Sequence, residues 1–173
     1  MKYGFRFCPK CAAPLEERDI HHQVVPACTD PSCGYLFWQN SKPCTCAVIV
    51  NERDEILLCV RAFDPDKGKL DLPGGFLEFG EHPHDAIHRE IKEELGVEIE
   101  IGSLLGFVMD RYDTDEVATL NIPFLAKIVA GTPTPADDVA AVRWMRLEKI
   151  DRGQLAFRNN ETILFDLYGR RKR

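Results

Sequence analysis

Gly75-Phe76-Leu77-Glu78-Phe79-Gly80-Glu81, followed after seven residues by Arg89-Glu90-Ile91-Lys92-Glu93-Glu94-Leu95-Gly96-Val97, is the stretch that decides the fold. Residues 82–95 read as a helix. Pro83 stands where the first helical residue belongs, and Asp85 puts negative charge in the first turn. Ile87, Ile91 and Leu95 recur at i, i+4 and i+8 and form a stripe to be buried. Gly96 is the expected stop. At about 100° per residue, Glu90, Glu93 and Glu94 fall in one arc beside that stripe. Three crowded carboxylates repel one another unless water or cations neutralise them, and hard divalent cations prefer such oxygen donors. The plain alternative is a solvated acidic face balanced by lysine and arginine. The glycine-rich turn just upstream, Leu72-Pro73-Gly74-Gly75, favours a site, because glycine lets backbone approach a metal or phosphate closely.

The rest of the chain falls into place around this helix. The runs 45–50 and 55–60 are β-branched and aliphatic, and Asn51-Glu52-Arg53-Asp54 between them reads as a hairpin turn. Residues 62–69, with Pro65 and Gly68, read as a loop, and 70–80 as irregular chain or a short strand. Further strands are expected at 98–101, 104–110, 118–129 and 139–145, and a closing helix at 161–168. Strands around one strong helix, with a second near the end, imply an α/β layered domain with a mixed sheet.

Four cysteines precede this domain. Cys8-Pro9-Lys10-Cys11 is a knuckle-type pair, and Cys28 and Cys33 form a second, wider pair followed by Gly34. This spacing suits a zinc ribbon with four thiolate ligands. Four thiolates leave no open position, so the zinc is expected to be structural and to staple a segment with little core of its own. Residues 39–43 read as a linker, so the expected division is 1–42 for the ribbon and 43–173 for the larger α/β domain. Cys44 and Cys46, two apart, share one strand face. They can bind metal or pair, but burial as small apolar residues is the simpler reading, as it is for Cys59.

The stretch from Gly75 to Val97 matches the Nudix box in full. Five residues separate Gly75 from Glu81, and seven separate Glu81 from Arg89. The resemblance covers about residue 43 to the C-terminus and implies a Nudix-type α/β/α sandwich. It implies that Glu90, Glu93 and Glu94 bind Mg²⁺ or Mn²⁺, with the Gly74 carbonyl as a further ligand. It implies that Arg89 orients the carboxylates by charge-assisted hydrogen bonds, and that Gly75, Glu81 and Gly96 support the loop and helix. The implied chemistry is metal-assisted attack of water on a phosphoanhydride. The proton acceptor is a helix glutamate in some members and lies in a later loop in others; Asp137 and Asp138 are the later candidates here. A glutamate frequent in the family three residues before the tryptophan that is Trp144 here is replaced by Ala141 in this chain. Arg61, after a strand, resembles a phosphate-contacting arginine, with a surface role as the alternative.

A four-cysteine ribbon ahead of this box is similar to the NADH pyrophosphatase branch and to zinc-ribbon enzymes acting on FAD or ADP-ribose. The long N-terminal domain and the Ser-Gln-Pro-Trp-Pro-Phe-Pro type signature of that branch are missing; Gly106-Phe107-Val108-Met109-Asp110-Arg111-Tyr112 follows the box instead. The expected activity is therefore hydrolysis of the pyrophosphate bond in a dinucleotide or nucleotide-sugar. The competing function is an RNA- or partner-binding ribbon on a Nudix scaffold, or removal of a nucleotide cap from RNA. Net charge −6 over 173 residues disfavours a broad nucleic-acid surface. No stretch is long and apolar enough to span a bilayer, and the N-terminus has no signal-peptide core, so the cytoplasm is the expected compartment. The resemblance is compatible with a homodimer. The basic run Gly169-Arg170-Arg171-Lys172-Arg173 reads as a solvated terminus. Trp38, Phe107, Tyr112 and Phe157 are aromatic candidates for stacking a base, each with core burial as its alternative.

Overall fold

The computed structural model describes residues 4–112 and 117–171. The chain forms two compact units, Met1–Asn40 and Ser41–Arg173. Among the described residues no helix is long and apolar enough to cross a membrane.

In the first unit, strands β1 (Leu15–Ile20) and β2 (Gln23–Cys28) pair antiparallel with Leu15 opposite Cys28. Their two-residue turn holds His21 and His22 at positive φ, the geometry that suits the twist of a tight hairpin. Asp19 steadies that turn by accepting from the His22 amide at 2.9 Å. Cys8, Leu15 and Cys28 are the buried centre, with Ala13, Cys33 and Tyr35 packed against them. The run 35–38 contributes a single bridge, Leu36 to Ala27, rather than a full strand.

The second unit carries two sheets. Strand β3 (Lys42–Ile49) runs parallel to β8 (Val117–Ala130). The far edge of β8 pairs antiparallel with β7 (Val108–Tyr112) along its first part and with β6 (Glu98–Leu104) along its second. The other sheet is antiparallel: β5 (Leu70–Asp71), β4 (Ile56–Arg61) and β9 (Val139–Met145), in that order. Two expectations are corrected. Lys42 and Pro43 belong to β3 rather than to a linker. Residues 51–54 do turn the chain, but β3 and β4 are not a hairpin; they enter different sheets and touch through one bridge, Val50 to Ile56.

The alternation of side chains explains the layers. Ala47, Ile49, Leu57 and Cys59 face α1 (Pro83–Leu95) and meet Ile87, Ile91 and Leu95, all fully buried. Val48, Ile56 and Leu58 face the opposite way and meet Ile163, Leu164 and Tyr168 of the closing helical segment. Helices on both faces of mixed β structure give an α/β/α sandwich. The closing segment begins three residues earlier than the expected 161, as α2 (Arg158–Glu161), and widens into π-type turns over Thr162–Tyr168. Of the basic terminal run, Arg171 is tied down by donating to Ser103 Oγ and the Leu104 carbonyl, whereas Lys172 and Arg173 lie outside the described residues.

Candidate active site

The glycine turn lies against β3 as an extra extended stretch. Thr45 N donates to Gly75 O at 2.8 Å, and Ala47 N donates to Pro73 O at 2.9 Å. Contact this close demands glycine: a Cβ on Gly74 would stand 2.2 Å from the Thr45 carbonyl oxygen, and Gly74 has φ +139°. Among the described residues no backbone N–H donates to the Gly74 carbonyl, while the Gly74 amide donates to Glu94 Oε2 at 3.0 Å. On the other side of the turn a Cβ at Gly75 would stand 2.5 Å from Glu90 Oε1. The turn and the acidic face of α1 are therefore in direct contact.

Arg89 ties the acidic residues together. It donates to Glu81 at 2.8 and 2.9 Å, to Glu90 at 2.8 Å, to Glu93 at 3.1 Å and to the Phe76 carbonyl at 3.1 Å. These hydrogen bonds hold the Glu81 carboxyl well below the usual range, at about 2. Glu94 has the opposite surroundings. Burial, then repulsion from Asp138, pushes its carboxyl up to about 9, and burial also raises Glu90. Glu93 is half exposed. The three box carboxylates thus share one region but not one point: Glu94 turns inward to the Gly74 amide and Glu93 outward to Arg89.

A cavity of about 150 Å³ opens beside this turn, lined by Gly74 and Gly75 and, across from them, by residues of β7, β8 and the start of α2. Asp138 reaches its wall, and Asp137, exposed and at φ +52°, does not. Arg61 is in the wall too. It donates to Asp71 at 3.0 Å and to the Pro65 carbonyl at 2.8 Å, and its guanidinium lies 4.9 Å over the Phe157 ring. Its side chain is only 12% exposed, so the surface alternative does not describe it. Cys44 is half-buried in the same wall and donates to Asn121 Oδ1 at 3.1 Å. Cys46 and Cys59 are core, and all seven cysteines are free. Burial pushes the Cys44 thiol up to about 12.

Sequence reasoning missed much of this wall. Asp71 is partly buried and receives Asn160 Nδ2 at 2.7 Å. Asn121 donates to the Val108 carbonyl and to Thr119 Oγ1, both at 3.2 Å. The available signal was a polar residue inside an apolar run: Leu120-Asn121-Ile122 has no surface reason for an amide. Of the four aromatic candidates, Tyr112 and Phe157 line the cavity; Phe107 and Trp38 do not.

In the first unit the sulfurs of Cys8, Cys11, Cys28 and Cys33 lie within 4.8 Å of one another, with Cys8–Cys33 at 3.7 Å and Cys11–Cys28 at 3.4 Å. Four Zn–S bonds of ~2.3 Å in a tetrahedron place sulfurs about 3.8 Å apart, so the group has the dimensions of a zinc site. Burial works to raise the Cys8 thiol, but the Lys10 and Cys11 amides and neighbouring thiols outweigh it and bring it to about 7.

The model of the NUDIX domain matches residues 41–164. The chain is a Nudix hydrolase. The ADP-ribose pyrophosphatase of Methanocaldococcus jannaschii is 34% identical over 118 residues, covering 68% of this chain and 68% of that one. The NAD-capped RNA hydrolase NudC of Pseudomonas aeruginosa is 30% identical over 147 residues, covering 84% of this hydrolase and 49% of the relative. This Nudix hydrolase therefore spans about half the length of NudC. The crystal structure of a NUDIX hydrolase from Nitrosomonas europaea superposes with a TM-score of 0.76 at 25% identity, over 95% of this chain and 93% of that one.

Proposed function

We propose that this Nudix hydrolase cuts the pyrophosphate bond of a nucleoside diphosphate joined to a second moiety, such as ADP-ribose, FAD or NADH. The observation that carries the proposal is the contact between the α1 carboxylates and a glycine turn that itself lines a cavity with an aromatic wall. The similarity to an ADP-ribose pyrophosphatase over two thirds of both chains supports the substrate class.

The donor set fits Mg²⁺ or Mn²⁺. Glu90, Glu93, Glu94 and the Gly74 carbonyl are all hard oxygen donors, and the raised Glu94 carboxyl is that of a buried acid in need of a positive neighbour. Such a cation, when bound, neutralises the diphosphate and lowers the pKa of the attacking water. Arg89 keeps Glu90 and Glu93 in place through its hydrogen bonds and keeps Glu81 ionised as their support. Asp138 is the better loop candidate for accepting the water's proton, since it reaches the cavity and Asp137 does not. Arg61 contacts the substrate from the wall, with its orientation fixed by Asp71 and Pro65. Residues 1–42 form a structural zinc ribbon on Cys8, Cys11, Cys28 and Cys33, and residues 43–173 the hydrolase domain. Residue 43 continues strand β3 of the second unit, so this division marks function rather than the start of the fold.

A second reading, removal of a nucleotide cap from RNA, is favoured by the similarity to NudC. One experiment separates them: kcat/KM for ADP-ribose, FAD, NADH, nucleoside triphosphates and NAD-capped RNA under identical Mg²⁺ or Mn²⁺ conditions. The proposal expects a dinucleotide or nucleotide-sugar to lead. A nucleoside triphosphate ahead of all of them by about tenfold, ~1.4 kcal/mol in the barrier, removes the substrate class and leaves the family in place.

A further inference from the structure

We infer that the outer edge of β7 pairs antiparallel with the same edge of a second copy of this chain, about a two-fold axis at Met109, so that Phe107 of each copy lies opposite Arg111 of the other. The interface does not depend on which substrate the hydrolase cuts.

Side chains alternate along β7. Val108 is in the core, Asp110 Oδ2 accepts from the Asn159 amide at 2.7 Å, and the Tyr112 ring meets Phe157. The alternate set points away from them. Phe107, just before the strand, is 65% exposed and Met109 60%, and Arg111 is exposed as well. One exposed apolar side chain needs no explanation. Two at alternate positions on an unpaired strand mark an interface. β7 pairs with β8 alone, and among the described residues no strand lies along its other edge. That edge carries no proline and no bulge, the common protections against pairing with another chain.

The ladder shows which main-chain groups face outward. On the edge of β8 where β6 and β7 lie, the Pro123 carbonyl accepts from Leu105 N at 2.8 Å. Asn121, Thr119 and Val117, each two residues further along, bond towards the same edge, where they face Val108, Asp110 and Tyr112. The N–H and C=O groups of Met109 and Arg111 are then turned away from β8. The Arg111 amide agrees, since it donates to its own neighbour, Asp110 Oδ1, at 2.8 Å. An edge of alternating donors and acceptors is complementary to itself about a two-fold axis. Charge selects the register. An axis at Asp110 sets two carboxylates opposite each other, and an axis at Arg111 sets two guanidinium groups opposite, and like charges directly across a ladder are destabilising. An axis at Met109 sets Val108 against Asp110 and Phe107 against Arg111, a cation against an aromatic ring. Met109 then exchanges both main-chain bonds with its counterpart, and the Arg111 amide passes to the Phe107 carbonyl across the axis. Each contact occurs twice, which makes a second copy the occupant that fits.

The test uses the full zinc-loaded chain. Sedimentation velocity over a concentration series is expected to give a species of twice the chain mass. Phe107→Arg sets like charges opposite each other and is expected to weaken the dimer by about tenfold or more. Phe107→Glu is just as polar but faces Arg111, and it is expected to keep the dimer. Circular dichroism checks that both variants are folded. A third variant reads the register directly. In Met109→Cys the two introduced thiols meet across the axis with Cα atoms about 5.5 Å apart, within disulfide range. Oxidised glutathione is expected to trap a covalent dimer whose linked peptide carries position 109 from both chains. A wild type that stays monomeric at every concentration overturns the inference. So does a dimer that both Phe107 variants weaken alike, or one that is not trapped through position 109, because either result puts the interface on another surface.

Discussion

Two adjacent glycines carry different burdens. At Gly75 the nearest obstacle to a methyl group is the Glu90 carboxylate, the movable end of a side chain; at Gly74 it is the Thr45 and Cys46 backbone. Gly75→Ala should therefore leave stability within about 1 kcal/mol while displacing Glu90 and cutting turnover by about tenfold or more. Gly74→Ala should destabilise the fold by about 1–3 kcal/mol. Denaturant unfolding beside ADP-ribose turnover checks both, and the reverse ranking would mean the turn is not packed as described. The Glu81–Arg89 pair makes a pH prediction. Its folded-state carboxyl is lowered from 4.5 to about 2, so its contribution is present above pH 4.5 and is lost as pH falls towards 2. The stability gap between the wild type and Glu81→Gln should be constant at neutral pH and close across that acid window. A gap unchanged by acid would show that the pair contributes through packing alone. At this scale the box was legible because its residues are neighbours along one turn and one helix. Asp71, Asn121, Asn159 and Asn160 were not, because they meet only after β5, β8 and α2 have been assembled from distant parts of the chain.

Among the elements, α1 was the most legible. Its start, its buried stripe and its stop at Gly96, with φ +67°, are all local features. Ile91 is fully buried between the helix and both sheets. Ile91→Ala should cost about 2–5 kcal/mol, as core truncations do, measured by denaturant unfolding. A loss below 1 kcal/mol would mean that the helix is not anchored through this stripe. The β3–β4 hairpin was misread for a physical reason. Both strands are apolar on both faces, and a tight turn between two such strands says nothing about whether they pair with each other. Here the long β8 takes β3, and β9 takes β4. The closing segment was placed correctly, but its earlier start and wide turns were hidden by the polar Arg158-Asn159-Asn160, which reads as loop until Asp71 and Asn121 are there to receive the amides.

For the whole molecule, the two units predict two responses to metal. Removing zinc with a strong chelator, or replacing Cys8 by Ser, should abolish one bound zinc per chain and expose the amides of residues 4–40 to hydrogen exchange. The amides of α1 and β8 should stay protected. Full zinc content in the Cys8 variant would move the ligands elsewhere, with Cys44 and Cys46 next in line. The central claim concerns the second metal site, and it is tested most directly by product analysis of ADP-ribose at saturating Mg²⁺, comparing the wild type with Glu94→Gln. The wild type is expected to release AMP and ribose 5-phosphate only when the divalent cation is present. Glu94→Gln is expected to remain folded and to lose at least about a hundredfold in rate, ~2.7 kcal/mol. A rate unaffected by the substitution, or hydrolysis that continues after divalent cations are removed, would contradict the assignment of the α1 carboxylates.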